Sequence, residues 1–308
     1  MSTTSTPLRY PGGKTVLTDF LQRVIEATRL RDPYYAEPYC GGGGAAISLL
    51  RREAVTDVFL NDIDPAVFAF WQSVRDDSKG LCRRISECPV TLKEWERQRE
   101  ILQNPSNRAP LELAFACLFL NRTNRSGVLA AGPIGGKGQN GTWTLDARFN
   151  RQDLIEKIQR IARYRSRLHV FQLDAEEFLT SVVAKFDRAS LTYLDPPYYR
   201  KGQCLYANYY GPTDHRRLAT LLRSGVVTHW IVSYDNVRAI RRLYRAFPRL
   251  TYSLAYSASR RYQGREVMFF SPEIRLPSQV DPFASSRCRR WRGRLTLPAG
   301  MTNPQVAA

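Results

Sequence analysis

Asp195, Pro196, Pro197 and Tyr198 bring a carboxylate, a stiff backbone bend and an aromatic ring together within four residues. They follow Leu191-Thr192-Tyr193-Leu194, a β-branched and aromatic run that predicts a buried strand. Neither proline can donate to a strand ladder, so the strand ends at Asp195. The carboxylate then stands at the carboxyl end of a strand, where open α/β sheets place their ligands. Such a turn suits a flat molecule that carries an amino group: Asp195 and the Pro196 carbonyl each accept one amine hydrogen, and Tyr198 covers the ring face. Tyr199 either forms a second wall or packs beneath the turn. The competing reading of an isolated Asp-Pro-Pro-Tyr is a plain surface turn, so the rest of the chain has to decide.

A second constellation is Glu37-Pro38-Tyr39-Cys40-Gly41-Gly42-Gly43-Gly44, set where a first strand turns into a helix. Without a Cβ, the glycines of this cluster let a cofactor approach the backbone. Asp62 lies 21 residues beyond Gly41, at the end of a second strand, where an acid can accept both hydroxyls of a ribose. A nicotinamide site would place an acid there too. The glycine spacing, however, is not the dinucleotide fingerprint, and no Lys-Ser/Thr pair follows to cradle phosphate, so hydride transfer and nucleotide hydrolysis both lose ground.

Two further segments complete an ordered set: Arg9-Tyr10-Pro11-Gly12-Gly13-Lys14 before the glycine cluster, and Phe119-Leu120-Asn121-Arg122-Thr123-Asn124-Arg125-Ser126-Gly127 between it and the turn. In residue type and chain order the four segments resemble the adenine-N6 branch of the amino-directed DNA methyltransferases, the Dam-like alpha group. The resemblance runs from about residue 7 to residue 273. It implies an α/β fold, a Rossmann-like S-adenosylmethionine-dependent methyltransferase domain with a helical target-recognition insertion. It further implies a catalytic turn of Asp195, Pro196, Pro197 and Tyr198, and S-adenosyl-L-methionine held by Tyr10, Lys14, Asp62 and Asp195 with Gly41 and Gly43 lining it. Relatives often carry Trp at the Tyr10 position, and another aromatic there preserves a cofactor wall. Apart from the resemblance, Lys14 reads as a surface lysine at a helix start. DNA contact is implied for Asn121, Arg122, Asn124, Arg125 and Ser126, whose groups can reach phosphates or base edges, with Lys137 in the following glycine-rich loop as a further candidate. Asn121 and Arg122 read equally well as caps that brace the preceding apolar helix.

The chemistry implied is direct in-line transfer of a methyl group to adenine N6 in double-stranded DNA, the base being flipped out of its stack. Cytosine-C5 methylation would need a cysteine nucleophile, normally after proline, and no Pro-Cys pair occurs. The alternatives left open are cytosine-N4 or RNA adenine methylation on the same turn, and a DNA-binding protein on a decayed methyltransferase scaffold. Cytosine-N4 enzymes more commonly carry Ser where this chain has Asp195.

The elements that position these groups follow from periodicity. Residues 15–29 predict an amphipathic helix, 34–38 a strand, 45–52 a helix and 58–62 a second strand. From 66 to 165 the pattern turns helical, with 111–120 buried, and is broken by a glycine-rich loop over 132–141. Strands resume near 168–173, 191–194, 230–233, 252–256 and 267–270, with a helix over 214–224. The expected domains are a discontinuous methyltransferase catalytic domain, 1–66 and 166–276, a helical DNA target-recognition insertion, 67–165, and a basic, mobile tail, 277–308.

With 46 basic and 28 acidic residues the formal charge is +18, which calls for a polyanionic partner. A GC-rich genome would explain many arginines, but not their excess over acids. Arg238, Arg241, Arg242, Arg245 and Arg249 recur at helical spacing, and Arg151, Lys157, Arg160, Arg163, Arg165 and Arg167 form a second block; at least one is expected to contact phosphate. Six cysteines and three histidines show no metal spacing, so no zinc, disulfide framework or metal catalysis is expected. The longest apolar stretch is about half a membrane span, so a cytoplasmic protein with no membrane partner is expected; a nucleoid-associated monomer acting on double-stranded DNA is expected besides. A cognate restriction endonuclease acting separately, an orphan role and a phage role all remain open.

Overall fold

A computed structural model describes residues 6–9, 14–199, 210–256, 262–278, 280–283 and 293–298. A short 3-10 turn, Lys14–Leu17, leads into α1, Thr18–Thr28, and then β1, Tyr34–Glu37, α2, Gly44–Arg51, and β2, Asp57–Asn61. Five helices follow before the next strand: α3, Pro65–Asp76; α4, Ser78–Glu87; α5, Leu92–Gln103; α6, Pro110–Thr123; and α7, Arg151–Ala162. The chain returns through β3, Leu168–Phe171, α8, Ala175–Ser181, and β4, Ser190–Leu194. After α9, Pro212–Arg223, come β5, Trp230–Asp235, α10, Arg238–Leu243, and the antiparallel β6, Arg249–Tyr256, β7, Tyr262–Phe270, and β8, Arg294–Thr296.

All eight strands form one sheet in the order β3-β2-β1-β4-β5-β7-β6-β8. The first five are parallel, and β7 joins β5 antiparallel. This is the doubly wound order, and it reverses between β1 and β4, so the carboxyl ends of those two strands flank the crevice where such sheets bind ligands. The glycine cluster leaves β1 and the Asp195 turn leaves β4 at that crevice.

Side chains alternate across a strand, and the alternation here sorts two cores. Tyr35, Leu191, Tyr193 and Ile231 face the larger one, with α1 to α7; Ala36, Leu194, Val232 and Tyr234 face the smaller one, with α8 to α10. The same parity sends Asp195 and Ser233 to the α1 face, beside Lys14. The helices between β2 and β3 share the larger core with the sheet instead of forming a separate one. At their centre α6 is buried on every side from Leu113 to Thr123, as befits a helix that shows no polar stripe until its last turn.

Two expectations need correction. The 277–308 segment was expected to be a mobile tail, yet its described part is folded: Arg294–Thr296 pairs with β6 and Phe283 is buried against Tyr252. The spacing of Arg238 to Arg249 predicted one basic helix, but α10 stops at Leu243 and Arg249 opens β6. Tyr244 and Phe247 are buried there, so core packing overrides the helical period.

Candidate active site

At the end of β4, Asp195 is held from both sides. Ser233 Oγ on β5 donates to Oδ1 at 2.6 Å and itself accepts from Tyr193 at 2.8 Å; Lys14 Nζ lies 3.0 Å from Oδ2. Lys14 also donates to the Tyr198 hydroxyl at 3.0 Å. That hydroxyl donates onward to Glu266 Oε1 at 2.5 Å, and Tyr252 donates to Oε2 at 2.7 Å. Strand pairing explains the convergence: β4 runs beside β5, and β7 sets Glu266 opposite both Asp235 on β5 and Tyr252 on β6. Burial alone would push the Lys14 ammonium down, but Asp195 and then Glu266 reverse this, so it stays protonated. Burial, with Asp195 adding to it, raises the Glu266 carboxyl, while Lys14 and the two phenols pull it back. Tyr199, whose role was open, donates its backbone N–H to Asp235 and rests its ring on His215, beneath the turn.

The other half of the crevice is the glycine loop. Gly41 and Gly43 have φ of 44° and 55°, the left-handed region where a side chain is strained. A Cβ on Gly43 would come within 2.6 Å of the Trp71 ring, so this glycine answers to a tryptophan of α3 as well as to any ligand. Trp71 in turn donates to the Gly41 carbonyl. Asp62 accepts from the Gly41 N–H at 2.9 Å and from the Asp64 N–H at 3.1 Å. Burial, and then Asp64, push its carboxyl up to about 7. Asn61, which sequence reasoning passed over, ties three strand ends together through Pro38 and Leu173.

The site thus pairs an anchored carboxylate with a bare backbone loop and a buried acid at one switch point. Residues 10–257 match the model of the D12 class N6 adenine-specific DNA methyltransferases. The chain belongs to that family. It therefore methylates adenine in DNA, and the match falls within the span over which the four segments resemble the adenine-N6 branch. Solved structures similar to this methyltransferase include two of the rRNA methyltransferase aviRa from Streptomyces viridochromogenes. They share 16% and 19% identity, each covering 83% of this chain, and 82% and 84% of their own, at a TM-score of 0.37. Among curated proteins none matches its sequence.

Of the residues expected at the cofactor, Tyr10 lies outside the described residues. Gly41, Gly43 and Asp62 come together in the loop half of the methyltransferase site, whereas Lys14 is drawn to the turn and spent on Asp195 and Tyr198. The residues expected at DNA divide. Asn121, Arg122 and Asn124 are buried, which corrects their reading as DNA contacts. Asn121 bonds both the N–H and the carbonyl of Arg9, Arg122 bonds the carbonyls of Arg148 and Pro7, and Asn124 joins Trp95 to the loop at Val128 and Leu129. Asn121 and Arg122 thereby brace the segment 7–9 that precedes Lys14. Burial, followed by Arg9, lowers the Arg122 guanidinium to about 10. Arg125, Ser126 and Lys137 remain exposed; Lys137 meets Glu96 only at 3.9 Å. Much of the second basic block is also engaged, through Lys157–Asp153, Arg160–Glu156 and Arg167–Glu53. No helix among the described residues is long and apolar enough to cross a membrane.

Proposed function

We propose that this D12-class methyltransferase takes S-adenosyl-L-methionine as methyl donor and acts on an adenine flipped out of double-stranded DNA, by direct in-line transfer. The observation that carries this reading is the fixed Asp195 carboxylate at the β1/β4 crevice, next to the glycine loop and Asp62. The loop fits the donor: two glycines in left-handed conformations leave peptide edges open, and Asp62, although it accepts two backbone N–H groups, keeps lone pairs for ribose hydroxyls. When bound, S-adenosylmethionine supplies a methyl group activated on a positive sulfonium. Tyr10, Lys14, Asp62 and Asp195, with Gly41 and Gly43, are the proposed cofactor residues.

The rest of the work falls to the chain's own groups. Adenine N6 is a weak nucleophile because its lone pair is delocalised into the ring. Asp195 and the Pro196 carbonyl, each accepting one N6 hydrogen, favour the form in which that pair is localised on nitrogen, and Pro197 stiffens the turn. Ser233 keeps Asp195 from rotating, so little reorganisation is needed as the charge develops. Asp195 also lies where it can take the proton that N6 sheds after transfer. Flipping costs a few kcal/mol, and stacking on Tyr198, worth roughly 1 to 3 kcal/mol, offsets much of it. The exposed Arg125, Ser126 and Lys137 are the proposed DNA contacts, with action as a monomer and, where one exists, a separately acting endonuclease as partner.

The test is titration calorimetry. Saturable heat with S-adenosylmethionine is expected and should weaken strongly in Asp62→Ala. A protein that binds DNA yet gives no cofactor heat would overturn the reading.

A further inference from the structure

Glu266 belongs to none of the motifs that mark the site, yet it is 1% exposed and its two oxygens are both taken by phenols that enter from different elements. An apolar strand, Val267-Met268-Phe269-Phe270, continues directly from it, and a charged residue there without a task would be costly. The hydrogen bonds have one consistent direction. Lys14 donates to Tyr198, Tyr198 donates to Glu266, and Tyr252 donates to Glu266 from the far side. Both phenols donate to the Glu266 carboxyl, and the Tyr198 ring is tethered at its hydroxyl while its Cα is fixed by the proline turn. The ammonium of Lys14 also lies 5.4 Å from the centre of that ring.

Charge gives a second role. Lys14 stands between two carboxylates, 3.0 Å from Asp195 Oδ2 and 4.0 Å from Glu266 Oε2. For Asp195 to accept a hydrogen from an incoming amine, Oδ2 has to release the ammonium at least in part. With Asp195 as its only counter-ion, Lys14 would be left buried and unpaired at that moment, which is expensive. Glu266 supplies the alternative partner, already in place.

Resting on the proposed adenine reaction, we propose that Glu266 is a positioning residue for methyl transfer: through the Tyr198 hydroxyl it holds the stacking ring, and as second counter-ion it keeps Lys14 in place while Asp195 Oδ2 accepts from the target amine. It touches neither base nor cofactor and acts through the two groups that do. The buried carboxylate therefore serves the transfer step and not the hold on DNA.

A double-mutant cycle separates this from a purely structural role. Wild type, Glu266→Gln, Tyr198→Phe and the double variant are assayed with tritiated S-adenosylmethionine and unmethylated bacterial chromosomal DNA, alongside thermal melts. Glu266→Gln keeps the volume but replaces one acceptor oxygen with a donor, so one phenol loses its bond. Expected is a loss of turnover of about ten- to a hundredfold with the apparent KM for DNA within about threefold of wild type. Tyr198→Phe should lose a similar amount, and the double variant no more than about twofold beyond the worse single one, because both break the same tether. If Glu266→Gln does not fold, Tyr252→Phe replaces it in the cycle and should lose about threefold or more in turnover, again not multiplying with Tyr198→Phe. Normal turnover in the Glu266 or Tyr252 variant, losses that multiply, or a change confined to KM would overturn the role while leaving the adenine reaction standing. A wild type that transfers no methyl group to this DNA would overturn both.

Discussion

Asp195 carries the heaviest chemical demand of any single residue, and its surroundings say what removal should do. Both oxygens are engaged, one by Ser233 and one by Lys14, so the carboxylate is preorganised and not free to relax. Asp195→Ala is expected to lower methyl transfer by about a thousandfold or more, while the fold and most DNA affinity persist; near-normal turnover in a labelled-methyl assay would remove Asp195 from the mechanism. Asp62 sets a pH dependence. Its carboxyl is pushed up to about 7, so below that pH the free site holds a protonated acid, a poorer acceptor for ribose hydroxyls. Cofactor affinity should fall by up to about tenfold between pH 8 and pH 6, and Asp62→Asn should flatten the curve. Calorimetry at the two pH values is the check. Glu37 works on stability. Burial drives its carboxyl up to about 8 against the bonds from Tyr35 and the Ala46 backbone. A folded value above the unfolded one means that the native state holds the proton more tightly, so this contribution is complete below about pH 4.5 and is lost as pH rises through about 8. The melting temperature should therefore drop between pH 6 and pH 9, and Glu37→Gln should remove a measurable part of that drop.

Among the elements, α6 and the segment it braces separate support from recognition. Asn121→Ala removes three hydrogen bonds to buried backbone groups and should cost about 1 to 3 kcal/mol of stability, read as an earlier thermal transition with an unchanged methylation motif. Arg125→Ala should do the reverse. If Arg125 reads guanine through a bidentate contact, its loss costs about 1 to 3 kcal/mol at one base position and leaves the melting curve alone. A blurred motif from Asn121→Ala, or an early melt from Arg125→Ala, would invert the assignment. Strand and helix periods marked the alternating elements, and the turn and glycine loop announced themselves because proline and glycine leave few backbone choices. Lys14, Ser233, Glu266 and Tyr252 converge only through strand pairing, which no local pattern records; a lone Glu beside Val267-Met268-Phe269-Phe270 was the one available hint. Asn121, Arg122 and Asn124 misled for a related reason, since side chains able to reach DNA are equally able to satisfy buried backbone groups.

Across the whole molecule, the +18 charge is not spread as uniform attraction. Arg238, Arg242 and Arg245 are exposed on and just after α10, while Lys157, Arg160 and Arg167 are tied to acids. Arg242→Ala and Arg245→Ala should each flatten the salt dependence of DNA binding by roughly one phosphate, alike for every sequence; Arg160→Ala should not. The central claim, that this molecule marks adenine N6 in double-stranded DNA through Asp195, is met most directly by sequencing that detects modified bases in DNA from cells without adenine methylation of their own, expressing either the wild-type chain or Asp195→Ala. The account predicts N6-methyladenine at one recurring motif with the wild type and none with the variant. Unmodified adenine, marks on cytosine N4 instead, or marks that survive Asp195→Ala would contradict it.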